Sequence, residues 1–450
     1  MIFSSFTFLL LFMPCVLLLY RVMPRRARMP FLLAASLLFY GWGNPAWLLL
    51  ILFSMLLNWG GVLVMTRGGR KPSRAALAGM IALNLLPLLW FKYAGFLADT
   101  WRQLTGTAFE FTGPGLPAGI SFFTFQAMSY VMDVYRGEAK PQKSFITFSV
   151  YLSLFPQLVA GPIVRYTDLE AQLIAHPKPE YPEMREGLRR FCTGLAKKVL
   201  LADAMGRLWG SMNGNFAEAG TLGAWTGLLA FSFQIFFDFS GYSDMAIGLC
   251  RCMGFRIPEN FDRPYRARSL TEFWRRWHMT LTDWFKAYVY IPLGGSRKGR
   301  VRRDLNVLVV WALTGLWHGA GWNFVLWGLY FAVLLILEKR FLLGKPRWER
   351  IPGWIRQAFT FFAVLLGWGL FSGFGTELWK ALLGGYGAAS PAALLKCAAY
   401  APMLLVCAGI SFLPAPKKAP WARFAAPVLM VLCFAALAAQ GYAPFVYFQF

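Results

Sequence analysis

The sequence predicts an all-α protein that crosses a membrane many times, and three features of its 450 residues carry that prediction. Hydrophobic residues make up 57% of the chain and charged residues 15%, against about 25% charged in ordinary soluble domains. Apolar runs recur along the whole length, most of them near the roughly 20 residues a helix needs to cross about 30 Å of hydrocarbon. Cations crowd the short segments between the runs, as they do in polytopic proteins.

In chain order the runs are Phe3 to Tyr20, Pro30 to Trp42, Trp47 to Met65, Ala75 to Phe96, Ile120 to Tyr135, Phe145 to Val164, Gly187 to Met205 and Leu222 to Cys250. Leu305 to Arg340 follows, read as two spans meeting at Gly319 and Gly321, then Ala358 to Phe374, Ala392 to Leu413 and Phe424 to Ala439. Together they predict about 11 to 13 crossings. Pro30 to Trp42 is short, and Gly187 to Met205 carries Arg189, Arg190, Lys197 and Lys198, so either fits a partial or interfacial element.

The first run has no basic segment before it and no small-residue cleavage site after it, which predicts an uncleaved span. Its cations, Arg21, Arg25, Arg26 and Arg28, come afterwards, and Arg67, Arg70, Lys71 and Arg74 follow the third run. The positive-inside rule puts both groups in the cytoplasm, the loop around Asp99, Arg102 and Glu110 outside, and the N-terminus outside.

A net charge of +24 invites a nucleic-acid reading. These cations sit in short loops between apolar runs and build no nucleic-acid fold pattern, so topology and lipid headgroups account for most of them. Arg251 to Arg303 is denser, with thirteen Lys or Arg against four Asp or Glu, and suggests an anionic partner. The seven cysteines form no C-x-x-C pair or zinc spacing and are read as packing residues. P-loop, G-x-S-x-G and H-E-x-x-H motifs are all missing, which leaves nucleotide-hydrolase, serine-hydrolase and metalloprotease readings without support.

The chain has three histidines. His318 stands in GLWHGAGWNF, about 14 residues into a run that follows the basic turn SRKGRVRR, hence roughly 20 Å into a bilayer on a straight helix. Ionisable groups at such depth are costly, and irregular backbone there survives only inside protein or against a wet cavity, so His318 and its glycines predict a functional cavity. The plainer alternative is an imidazole bridging two helices. His278 lies in LTEFWRRWHMTL, where Ser269 and Glu272 have the spacing of a helix cap and predict a helix running through Trp274, Trp277 and His278 from the cytoplasmic surface. On periodicity alone His278 is interfacial, and His176, in AHPKPEYPEM, is a loop residue. FFDFSGYSDMAIG places Asp238, Ser240 and Asp244 inside an apolar run, where carboxylates need partners.

SFFTFQAMSYVMDVYRGE (121–138), FPQLVAGPIVRY (155–166), FFDFSGYSDMAIG (236–248), NFDRPYRARSLTEFWRRWHMTLTDWFKAYVYIPLGGSR (260–297) and GLWHGAGWNFVLWGLY (315–330) together resemble the membrane-bound O-acyltransferases, and within them the bacterial alginate O-acetylation branch. The resemblance implies a ring of transmembrane helices around a tunnel or funnel, with re-entrant or interfacial helices. It implies one membrane domain over 1–450, with a motif-bearing core at about 117–340 and less distinctive C-terminal helices at 357–440. His318 matches the family's catalytic histidine and His278 its second one. Trp274, Arg275, Arg276, Trp317, Asn323, Asp238 and Ser240 are expected to bind substrate.

The implied reaction moves an acyl group, acetyl first, from a thioester such as acetyl-CoA or an acyl carrier protein to an extracytoplasmic polysaccharide, directly or through an exported SGNH-type partner. Imidazole is the side chain suited to take a hydroxyl proton near neutral pH, and a thiolate leaves readily, so the step needs no metal and no tightly bound cofactor. The expected location is a bacterial plasma membrane. D-alanyl transfer to teichoic acids uses the same two-histidine arrangement and stays open, as does a transporter whose histidines gate a pore. The latter lacks an evident inverted repeat.

Overall fold

Runs of Leu, Phe, Ala and Val in hydrocarbon satisfy their backbone polar groups internally only by coiling into helices. The computed structural model describes residues 1–69, 71–107, 111, 113–414 and 422–440, all-helical apart from turns and loops and with no strand among them. Arg70 and Glu110, used above to orient loops, lie outside the described residues. Among the described residues, five helices are long and apolar enough to cross a membrane: Trp47–Met65, Arg74–Thr105, Phe216–Cys252, Gly353–Phe371 and Pro391–Phe412. Thr7–Val22 and Ala425–Ala439 are shorter apolar helices. Serines start several helices by accepting a backbone N–H from the first turn: Ser73 from Ala76, Ser144 from Thr147, Ser269 from Glu272 and Ser390 from Ala393.

Two expected spans are interrupted. Phe145 to Val164 is helical only over Phe145–Ser153 and Phe155–Leu158. Pro156 has no N–H to give and its ring would clash with the carbonyl four residues back, so the chain turns at Leu154, whose ψ is 110°. Gly187 to Met205 is divided among Tyr181–Ala196, a wider π-helical stretch Lys197–Ala202, and Asp203–Asn213.

The chain forms two compact units, Met1–Phe191 with Tyr242–Glu259, and Cys192–Gly241 with Asn260–Phe450. In the first, the rings of Phe3, Phe8, Phe39 and Phe155 pack together, and the buried amides of Asn58 and Asn84 exchange hydrogen bonds of 2.9 and 2.8 Å between their helices. Arg190 pairs with Asp244 at 2.9 Å. Arg251 donates to Glu183 at 2.6 Å and holds that carboxyl below the usual carboxylate range.

The second unit is built on aromatic packing. The Tyr265 hydroxyl donates to the Ser232 carbonyl at 2.7 Å and accepts from the Trp368 indole at 3.1 Å, tying three helical segments to one buried oxygen. Lys198 is buried between Asp203 and Asp238, at 2.8 and 2.7 Å.

Candidate functional site

The run holding His318 folds as a helical hairpin inside the second unit. Helix Gly299–His318 ends on the histidine itself, the backbone is extended at Gly319 and Gly321, and Trp322–Leu337 returns. Two glycines permit the close approach. A β-carbon on Gly315 would lie 2.2 Å from the Phe324 carbonyl oxygen, and one on Gly328 would lie 2.3 Å from that of Trp311. His318 therefore sits at the closed end of the hairpin, 7% exposed. Its ring is met by Trp317 and Trp327, each at 5.0 Å between centroids, and by Phe371 at 5.5 Å.

His278 is reached differently. Glu338, at the end of the returning helix, is buried and accepts from the backbone N–H of Leu270 and Thr271 and from the Thr271 hydroxyl, at 2.6, 2.8 and 2.7 Å. A carboxylate so placed satisfies amides at the start of a helix and complements its dipole. That helix, Leu270–Arg276, stops two residues short of the expected His278: Trp277 is extended and His278 is left-handed at φ 44°. The next helix, Met279–Phe285, begins immediately. The left-handed joint, costly for a side chain with a β-carbon, turns the imidazole inward until it is 2% exposed.

Asn260 fixes the ring there. Its backbone carbonyl accepts from Met279 N–H at 3.0 Å, and two residues on Asp262 N–H donates to the Arg276 carbonyl at 2.9 Å. Its side-chain oxygen lies 3.0 Å from His278 Nδ1 and accepts from the Thr280 hydroxyl at 2.9 Å. Phe239 stands edge-on to the imidazole at 4.7 Å, and Trp317 reaches it at 5.8 Å. Trp317 thus touches both imidazoles, although 40 residues of chain separate them.

The family model of the membrane-bound O-acyltransferases matches residues 140–371, and a probable alginate O-acetylase AlgI of Pseudomonas putida is 36% identical over 100% of both chains. This chain belongs to the membrane-bound O-acyltransferase family. It is also 32% identical to a peptidoglycan O-acetyltransferase of Helicobacter pylori, over 82% of this chain and 77% of that one. With a teichoic acid D-alanyltransferase of Bacillus subtilis the identity is 27%, over 66% and 77%. The protein is an O-acyltransferase of the multi-pass membrane kind, and His278 and His318 both fall inside the matched residues.

The remaining residues named from the sequence fall into two groups in this acyltransferase. Trp274 and Arg275 line a cleft of about 500 Å³, with Lys286 and Lys339 as further cations, Asp283 as an acid, and Trp311, Val307 and Leu335 in its wall. Trp327 touches both Trp274, at 5.6 Å, and His318. The others make protein contacts: Arg276 pairs with Asp262 and Glu272, Asn323 donates to the Phe371 carbonyl at 3.2 Å, and Asp238 holds Lys198. Ser240 is buried on the same helix as Asp238. His176 lies at a helix end with Nδ1 3.2 Å from the Arg25 carbonyl oxygen, a loop residue as expected. Asn260 and Glu338 were not singled out by sequence reasoning. Their signals were a polar residue opening NFDRPY and a lone acid closing a long apolar run.

Proposed function

We propose that this acyltransferase moves an acetyl group from a cytoplasmic thioester, acetyl-CoA or an acylated carrier protein, to a hydroxyl of an extracytoplasmic polysaccharide, directly or through an exported partner. The observation that carries the proposal is the pair of buried imidazoles joined by Trp317, in a chain similar over its full length to a probable alginate O-acetylase.

His318 takes the proton of the acceptor hydroxyl as that oxygen attacks the thioester carbonyl. The new ester C–O bond forms, the C–S bond breaks, and the departing thiolate receives the proton back from the imidazolium. The aromatic walls keep bulk water from competing as the nucleophile. His278 borders the same reacting group. In this reading more than the five long apolar helices cross the bilayer, the N-terminus is external, the turn at 296–303 is cytoplasmic, and the cations of the 500 Å³ cleft meet the anionic donor on that side.

The test is deletion of the gene in its host, followed by measurement of base-labile acetate and D-alanine on the envelope polysaccharides. A loss of acetate alone supports the proposal. A loss of D-alanine with acetate unchanged replaces it with D-alanyl transfer, and no change in either refutes both.

A further inference from the structure

The Asn260 side chain determines which nitrogen of His278 carries the ring proton. The backbone N–H of Thr280 donates to Asn260 Oδ1 at 3.4 Å, beside the Thr280 hydroxyl at 2.9 Å. A backbone nitrogen can only donate, so the amide atom at this position is the oxygen and not the NH₂. That oxygen can only accept, which obliges His278 Nδ1, 3.0 Å away, to donate to it. A neutral imidazole has one ring proton, and with it on Nδ1 the Nε2 atom carries the lone pair. The arrangement is rigid: Asn260 is fully buried, its backbone carbonyl is held by Met279 N–H at 3.0 Å, and the left-handed backbone of His278 fixes where the ring leaves the chain.

We propose that Asn260 is a positioning residue that sets His278 as a hydrogen-bond acceptor toward the reacting groups, through Nε2, and not as a donor that polarises the thioester carbonyl. This rests on the reading that His278 borders the acyl-transfer site. It divides the labour between the two histidines: neutral His278 can hold an O–H or N–H of substrate in place, while the carbonyl oxygen must find its donors elsewhere. An acceptor set in the wrong tautomer presents a proton where a lone pair is needed, and misplacing a positioned substrate costs about 10²-fold.

The experiment uses the full-length protein in lipid, labelled with ¹⁵N-histidine; with three histidines in the chain, single His→Gln variants assign the signals. The ring nitrogens of His278 are expected to report Nδ1–H, and an Nε2–H signal overturns the proposal without any variant. Base-labile acetate on the host's envelope polysaccharide, normalised to the protein present in membranes, is the second readout. Asn260→Ala should lose the Nδ1–H signature and about 10²-fold of the acetate. Asn260→Asp, whose carboxylate still accepts from Nδ1–H, should keep the signature and recover acetate to within tenfold of the parent. Full acetate in Asn260→Ala, or an Asn260→Asp protein that keeps Nδ1–H with an unprotonated Nε2 but is as inactive as the alanine variant, overturns the proposal, whereas an inactive aspartate variant protonated on both ring nitrogens supports it. Should the reaction prove to be something other than acetyl transfer, the acetate readout fails in the parent as well, whereas the ring-proton position is read independently.

Discussion

The indole of Trp317 meets the imidazole of His278 at 5.8 Å between ring centroids, at an interplanar angle of 60°. The same indole lies 5.0 Å from His318, so one side chain is the common wall of both histidines. Trp317→Ala is expected to lower acyl transfer through both rings at once, by about 10-fold to 10²-fold, since small displacements of positioned groups cost that much. Trp317→Phe should recover most of the loss. An alanine variant with unchanged turnover would mean that the indole serves packing alone.

If the two imidazoles act on one reacting group, their removal is not additive. His278→Ala with His318→Ala should cost little more than the worse single substitution, as residues that work as a unit do. Measured rates that multiply would assign the two rings to separate steps.

Gly315 is where the hairpin allows no β-carbon, with the Phe324 carbonyl oxygen 2.2 Å from the place one would occupy. Gly315→Ala is expected to part the two helices and destabilise the protein by about 1–3 kcal/mol, the usual cost of overpacking, with loss of activity. Gly60, which has nothing within 4 Å of its β-carbon position, should accept alanine with an unchanged melting temperature in detergent.

Glu338→Ala leaves two backbone N–H groups of the helix leading to His278 without their carboxylate. Buried donors stranded in this way cost about 1–3 kcal/mol. Thermal unfolding in detergent should show the loss, and turnover should fall while the apparent KM rises, because the helix leads into His278 and itself carries Trp274 and Arg275 of the cleft. A rise in KM alone would place Glu338 in donor binding.

Much of this was legible from the sequence. His318 stood out because an imidazole between apolar residues and glycines has few inexpensive explanations, and the hairpin that closes on it follows from those glycines. His278 was found as a residue but not as a geometry: a cap signal at Ser269 and Glu272 predicts where a helix begins, and nothing local announces the left-handed joint that ends it. The basic segment 251–303 read as a uniform anionic-partner surface. The structure divides it, because Arg251 and Arg256 are paired with Glu183, which is distant in sequence, and Arg276 and Arg303 with the nearby Asp262, Glu272 and Asp304. Arg275 remains at the cleft with Lys286, joined there by Lys339 from beyond the segment.

Those cations give a separable expectation. Replacing Arg275, Lys286 and Lys339 together with glutamine should raise the apparent KM for an anionic thioester donor several-fold at low salt, with a smaller effect as ionic strength shortens the Debye length toward about 8 Å. Turnover at saturation should change little. A KM indifferent to both substitution and salt would move the donor away from this cleft.

The central claim, that His318 performs the chemistry, is tested most directly by transfer of labelled acetyl from acetyl-CoA to the host's envelope polysaccharide in membranes containing His318→Ala. The variant removes a ring lined by Trp317, Trp327 and Phe371 without touching the glycines that close the hairpin. It is expected to accumulate in the membrane like the parent, with a melting temperature lowered only by the cavity left behind, while transfer falls by at least about 10²-fold. Near-parental transfer by the correctly inserted variant would contradict the account.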